Sequence, residues 1–269
     1  MGDQELSVRR ACDCVGLSRA AWYKPCVDWR ERDRKIIDAL QDLAEEKPGL
    51  GFWKLFRRLR RKGHRWNHKR VYRVYCQLDY NRRRRTKKRI PTRDPMPLMV
   101  PKRPNQVWSA DFVSDALYNG TRFRTFNVLD DFNREALAIE IDTSLPSARL
   151  VRVFEQLKAE RGLPDVLRTD NGPEFLGEVF TEWCRDNGMM IDYIEPGKPN
   201  QNAYIERFNR SYREEVLDTW LFMDLDEVRE ISWAWMLEYN EERDHDSLGG
   251  LTPAEVLKRA ESSTLGVSA

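Results

Sequence analysis

Cysteine is scarce in this chain and is not spaced to bind anything. There are five in 269 residues, and only Cys12 and Cys14 lie close together, at a C-x-C spacing. A structural zinc site needs about four ligands at set spacings, so reduced thiols are expected. Long apolar runs are also missing. Nothing approaches the roughly 18 apolar residues of a membrane helix, so no span is expected. Met1 to Ser7 has neither a basic start nor an apolar stretch, so no secretory signal is expected. These absences point to a cytoplasmic protein. The length leaves room for one large domain or two to three small ones.

Charge is plentiful but unevenly placed. Residues 1–100 carry 27 Lys+Arg and 12 Asp+Glu, a net of +15, whereas residues 101–269 carry 19 and 32, a net of −13. The whole chain sums to only +2. A basic front half suits a polyanion, because phosphate neutralisation supplies most non-specific affinity for nucleic acid. An acidic rear half that must also meet DNA would need cations between them. That tension favours a metal enzyme over a simple binder.

Residues 7–24 read as two short helices around Gly16, with Ser18 as a cap and Pro25 as the stop. This is the outline of a helix-turn-helix, assigned to residues 1–30; an ordinary αα-hairpin has the same outline. Residues 31–80 read as a three-helix DNA-binding module: about Asp33 to Glu46, about Phe52 to Lys62, and a third capped by Asn67. The last two helices carry Arg57, Arg58, Arg61, Lys69, Arg70 and Arg73, cations suited to major-groove docking or to a solvated basic face. Residues 81–104 form a basic, proline-rich linker. Its Arg83, Arg84 and Lys87 can track phosphates or simply solubilise.

From Asn105 the pattern changes to strands: Gln106 to Val113, Arg122 to Asp130 and Ala136 to Ile141, an antiparallel meander. A helix from Pro146 to Gly162, a strand at Val166–Leu167, a helix from Pro173 to Asn187 and a strand from Met189 to Tyr193 follow. After the breaker-rich loop around Lys198, a helix runs from Asn202 to Leu217. The order predicts an α/β fold, a mixed sheet flanked by helices. Residues 221–269 read as a helical extension, with a long helix over 224–246, a short one capped at Thr252-Pro253, and disorder from Ser262.

Three carboxylates stand out. Asp111 lies mid-strand in an apolar context, where an unpaired charge is costly unless it binds a cation. Asp170 sits at a strand tip in Asp170-Asn171-Gly172-Pro173-Glu174-Phe175. Glu206 follows with 35 residues between, on a helix that also carries Arg207, Arg210 and Arg213. Phosphodiester chemistry is served by two Mg²⁺ ions about 4 Å apart, held by two or three carboxylates, one bridging. Asp111 is the candidate bridge. Taken singly, each has a plainer reading: a satisfied strand aspartate, a turn or N-cap, a surface pair with Arg210. Asp115, Asp130, Asp131 and Glu174 are weighted lower, as loop or strand-end residues.

These motifs resemble the DDE catalytic core of retroviral integrases and bacterial insertion-sequence transposases. The segment from Tyr239 to Glu255 resembles the C-terminal signature of OrfB-type transposases of the family named IS-three. Gly49 to Val71 resembles the helical module that precedes their core. The resemblance implies an RNase-H-like five-stranded core over residues 105–220, with Asp111, Asp170 and Glu206 as catalytic metal ligands for Mg²⁺ or Mn²⁺. It implies a nick that frees a 3′-OH, strand transfer of that 3′-OH, double-stranded DNA as substrate, at least a dimer on DNA, an OrfA partner or fusion, and a place at the bacterial nucleoid. The alternatives are a non-catalytic DNA-binding regulator and an RNase-H-like nuclease that never joins strands.

Overall fold

A computed structural model describes residues 7–25, 28–47, 49–81, 101–195 and 202–265, with side chains to residue 262. The chain divides into two compact units, Met1–Arg84 and Arg85–Ala269. The candidates Arg83, Arg84, Lys87 and Lys198 lie outside the described residues, as do most of the basic linker and its following prolines.

The first unit is all helical: α1 (Val8–Val15), α2 (Arg19–Trp22), α3 (Trp29–Glu46), α4 (Phe52–Arg61) and α5 (His68–Gln77). Gly16 ends α1 at φ 66°, a left-handed conformation that costs glycine least. Ser18, Asp28 and Asn67 each accept a backbone N–H at the start of the following helix. Ile36, Leu40 and Leu43 of α3 pack on Leu55 and Leu59 of α4 and Val71, Val74 and Tyr75 of α5. Beside this core lies Asp33, whose side chain is fully buried. Arg70 reaches it at 2.6 Å, Arg32 at 3.4 Å, and Arg73 also bonds it. Burial alone would raise the Asp33 pKa, but the bonds from Arg70 and Arg32 and the charges of Arg70 and Arg73 hold it below the usual carboxylate value.

The second unit is built on a mixed sheet of β1 (Val107–Ala116), β2 (Arg122–Asp130), β3 (Glu135–Asp142), β4 (Val166–Thr169) and β5 (Met190–Tyr193), in spatial order β3-β2-β1-β4-β5. The first three pair antiparallel; β4 and β5 extend the sheet parallel to β1. Helices cover both faces. On one, α6 (Ser147–Glu160), α7 (Pro173–Leu176) and α8 (Glu178–Asp186) meet Trp108, Phe126, Val128 and Leu167. On the other, α9 (Ala203–Tyr212), a π-turn (Arg213–Leu217) and α10 (Leu225–Glu241) meet Val113, Phe123, Leu129 and Ile141. Covered on both faces, β1 and β2 are buried over long stretches rather than at alternate residues, although Ser109, Thr125, Asn127 and Asp130 are among the buried ones.

Several helix boundaries differ from expectation. The helix expected over 173–187 breaks at Gly177, where Ser147 Oγ donates to the Glu174 carbonyl and comes so near that a Cβ on residue 177 would stand 2.1 Å from it. The helix expected to reach Leu217 passes into the π-turn after Tyr212. The helix expected over 224–246 stops at Glu241, where Arg243 turns inward to bond Glu215 and Asp244 is buried. The last helix, α11 (Pro253–Leu265), runs past Ser262, where disorder was expected. Thr252 and Glu255 start it with reciprocal side-chain-to-backbone bonds, a capping box.

The edge strand β3 is not left open. Asn240 of α10 donates to the Ala136 carbonyl and accepts its N–H, and Arg229 donates to the Ile141 carbonyl. Tyr239 packs edge-on against Phe208 of α9, ring centroids 5.0 Å apart. The Tyr239–Glu255 segment is therefore a brace that fixes α9 on the sheet.

Candidate active site

Two strands and one helix deliver the three carboxylates. Ser109 of β1 pairs with Arg168 of β4 in parallel register. Two residues further along come Asp111, still in β1, and Asp170, one residue past the end of β4, near enough for its charge to act on Asp111. The alternation along β1 turns Asp111 to the same face as Val113, the face covered by α9. That helix carries Glu206, exposed, in its first turn.

Asp111 is held by two donors. Its Oδ1 accepts the Phe112 N–H at 2.8 Å, and its Oδ2 accepts the Asn209 side-chain amide at 2.8 Å. Asn209 in turn accepts from Asn127 Nδ2 at 2.7 Å, on the neighbouring strand directly opposite Asp111. Both donors favour the ionised carboxyl. They are outweighed first by burial and then by the charges of Asp170 and Glu206, so the Asp111 pKa is pushed up to about 6. Burial also raises that of Glu206, against the opposing charge of Arg210. A divalent cation among these groups would reverse the balance.

Asp170 is not the helix N-cap; Gly172 is. The Asp170 carboxyl accepts the Gly172 N–H at 3.0 Å, an Asx-turn. A Cβ on Gly172 would sit 3.0 Å from that carboxyl oxygen and 3.2 Å from Glu174 Oε2. A larger residue there would crowd both carboxyls, although the backbone is not left-handed. Glu174 is bonded to Arg124 of β2, whose guanidinium lies 4.1 Å from the centre of the Phe112 ring. Glu174 is thus neutralised.

Among the described residues, no three or more His, Cys, Asp or Glu side chains already form a metal cage. The donor set is nevertheless the hard, all-oxygen type that Mg²⁺ and Mn²⁺ take, and Mg²⁺ keeps several waters and needs few protein ligands. On donor chemistry the residues fit such an ion.

The acidic residues weighted lower are largely occupied. Asp131 is buried against Ser109 at 2.5 Å and Arg168 at 3.1 Å, and Asp130 receives Asn105 N–H at 3.0 Å and Arg161 at 3.3 Å. Asp115 lies within β1 rather than in a loop, and pairs with Arg213 at 3.4 Å. The cations divide similarly. Arg207 and Arg210 are exposed beside Glu206. Arg213 turns away to the Ser114 carbonyl, 2.8 Å, and Asn202 is buried, so Asn202, Glu206, Arg210 and Arg213 do not share one open face. In the first unit Arg61 and Lys69 are exposed and Arg57 half-buried, but Arg58 is only 7% exposed, and Arg70 and Arg73 bind Asp33. Sequence reasoning missed Asn209, Asn127 and Arg124. Only Asn209 left a signal, three residues after Glu206 on the same helix.

Two families, both described as integrase core domain, match residues 101–199 and 187–253. A 31.7 kDa protein of insertion element IS407 from Burkholderia multivorans is 39% identical over 93% of this chain and 90% of its own length. A 39.2 kDa protein of insertion element IS476 from Xanthomonas euvesicatoria is 38% identical over 93% of this chain and 72% of its own. Among solved structures, the HTLV-2 integrase catalytic core in complex with magnesium is 20% identical over 57% of this chain and 97% of its own, at a TM-score of 0.45.

Proposed function

Since the chain belongs to the integrase-core family of insertion-sequence transposases, whose members act in DNA integration and transposition, we propose that it cuts DNA at the ends of an insertion sequence and joins the freed 3′-OH to a second phosphodiester. The observation that carries this reading is Asp111: a half-buried carboxyl faced by two more carboxylates and steadied by an amide rather than a cation.

In this reading Asp111, Asp170 and Glu206 are the metal ligands and the catalytic residues. A pair of Mg²⁺ ions, or Mn²⁺ in their place, would activate the attacking oxygen and stabilise the leaving one. The protein's own share is placement. Asn209, itself oriented by Asn127, fixes Asp111 Oδ2. The Gly172 N–H fixes the Asp170 carboxyl. The Arg124 guanidinium keeps Glu174 from adding a further negative charge where phosphate must approach. Arg207 and Arg210, exposed on the Glu206 helix, meet phosphates and set the DNA register.

The rest of the chain is assigned by the same reading. Residues 1–30 and 31–80 bind DNA, residues 81–104 link them to a catalytic core over residues 105–220, and residues 221–269 brace that core. Arg57, Arg61, Lys69, Arg83, Arg84, Lys87 and Lys198 contribute phosphate contacts; Arg70 and Arg73 do so only through nitrogens not engaged by Asp33. The substrate is double-stranded DNA, element ends and target, engaged by at least two copies, with an OrfA protein as partner or fusion, at the nucleoid. No described helix is long and apolar enough to cross a membrane.

A strand-transfer assay with element-end DNA and Mg²⁺ tests this, comparing the parent with Glu206→Gln. Loss of both nicking and joining in the variant is expected. Undiminished activity would remove Glu206 from the site. Nicked product without joined product from the parent would make the enzyme a nuclease.

A further inference from the structure

Helices α4 and α5 carry a surface that the carboxylate chemistry leaves unused. Phe52 lies at its centre, with ring centroids 5.1 Å from Trp53, 5.9 Å from Phe56, 4.8 Å from Tyr72 and 5.4 Å from Tyr75. Trp53 also lies 5.9 Å from the His68 ring. Phe52, Phe56 and Tyr75 are buried or half-buried and serve the core. Trp53 and Tyr72 do not: they are 55% and 48% exposed. Each stands edge-to-face on Phe52, at 64° and 73°, so both rings are braced from behind. Cations flank them. Arg57 follows Trp53 by one helical turn and Arg61 follows by two; Lys69 precedes Tyr72 by three positions on α5.

Duplex docking would use guanidinium forks on these helices. Arg58 is buried and Arg70 and Arg73 bond Asp33, so Arg60, Arg61 and Lys69, which are exposed, stand with the exposed aromatic faces of Trp53 and Tyr72 rather than as a run of free guanidinium forks. In a duplex only base edges and phosphates are presented, and the base faces are stacked away. Unpaired bases offer their faces, and stacking on aromatic rings next to cations is the usual way single strands are held without sequence preference. The net +15 of residues 1–100 selects a polyanion over an apolar protein partner.

We propose that the α4–α5 surface binds unpaired nucleobases of single-stranded DNA, with Trp53 and Tyr72 as stacking faces and Lys69 as a phosphate contact. This rests on the reading that the chain acts on DNA, but not on the three carboxylates.

The test is binding by the full chain, in EDTA so that no strand is cut. Fluorescence anisotropy would follow a labelled mixed-sequence single strand and the duplex of the same sequence. Trp53→Ala is expected to weaken single-strand binding about tenfold and duplex binding less than twofold. Trp53→Phe, which keeps a ring, should restore most of the affinity. Tyr72→Leu, which keeps apolar bulk without a π-face, should weaken single-strand binding several-fold, and it stands in if Trp53→Ala fails to fold. Equal losses on both DNAs, or no loss on the single strand from either variant, would overturn the proposal. Either failure leaves the Mg²⁺-dependent joining assay unaffected.

Discussion

Each unit of this chain holds one conspicuous aspartate, Asp33 buried and Asp111 half-buried, and the two are treated in opposite ways. Asp33, in the helical unit, is met by Arg32, Arg70 and Arg73, and its pKa is held below the usual value. Asp111, in the sheet unit, is met by an amide and a backbone N–H while Asp170 and Glu206 add like charge, and its pKa is pushed up to about 6. A buried charge surrounded by opposite charge holds a fold together. A desolvated charge surrounded by its own kind destabilises the fold and makes sense only when a cation joins it. Desolvation acts on both; what distinguishes them is the sign of the neighbours.

The comparison can be broken at either end. The largest effect is expected at Asp111. Asp111→Asn should lower strand-transfer activity by at least about a thousandfold, while the thermal midpoint holds or rises, since a like-charge contact is relieved. A large fall in midpoint would make Asp111 a structural residue like Asp33. Asn209→Ala comes next. Removing the donor that orients Asp111 should cost about 10- to 100-fold in activity, with Asn209→Asp no better because it adds a fourth negative charge. Activity within twofold of the parent would show that Asp111 needs no positioning from α9.

Asp33→Asn should leave the catalytic unit unaffected and destabilise the helical unit by about 1–3 kcal/mol, the lower part of the range for broken buried pairs because the arginines keep access to water. Urea unfolding followed by a probe in that unit would measure it. The pH dependence has a definite sign. The folded-state pKa of Asp33 lies below its ordinary 3.8. Its contribution is therefore fully present above that value and is lost as pH falls through the lower, folded-state one. The helical unit of Asp33→Asn should lack this acid-side decline. The smallest effect is expected at the brace: Thr252→Ala removes half of the α11 capping box, worth about 1 kcal/mol in thermal stability.

Much of the architecture could be read from the chain, because local chemistry decided it. β2 begins and ends at Arg122 and Asp130 as its apolar pattern and turn residues imply. Gly16, Ser18 and Asn67 act at the helix ends where their chemistry put them. What was not legible depended on a partner distant in sequence. The break at Gly177 lies against Ser147, 30 positions earlier. The burial of Asp33 recruits Arg70 and Arg73 from 37 and 40 positions away as ion-pair donors. At the site, Asp170 and Glu206 were visible from spacing and motif, whereas Asn127 and Arg124 become relevant only once β2 lies beside β1. A sequence gives the side chains that carry charge more readily than those that orient them.

The central claim is that Asp111, Asp170 and Glu206 together hold divalent cations. Electron paramagnetic resonance of Mn²⁺, titrated into the parent and into Asp111→Asn, tests it most directly. The account predicts saturable binding by the parent that Mg²⁺ competes away and that Asp111→Asn abolishes. Binding of equal stoichiometry and affinity in the variant would contradict it.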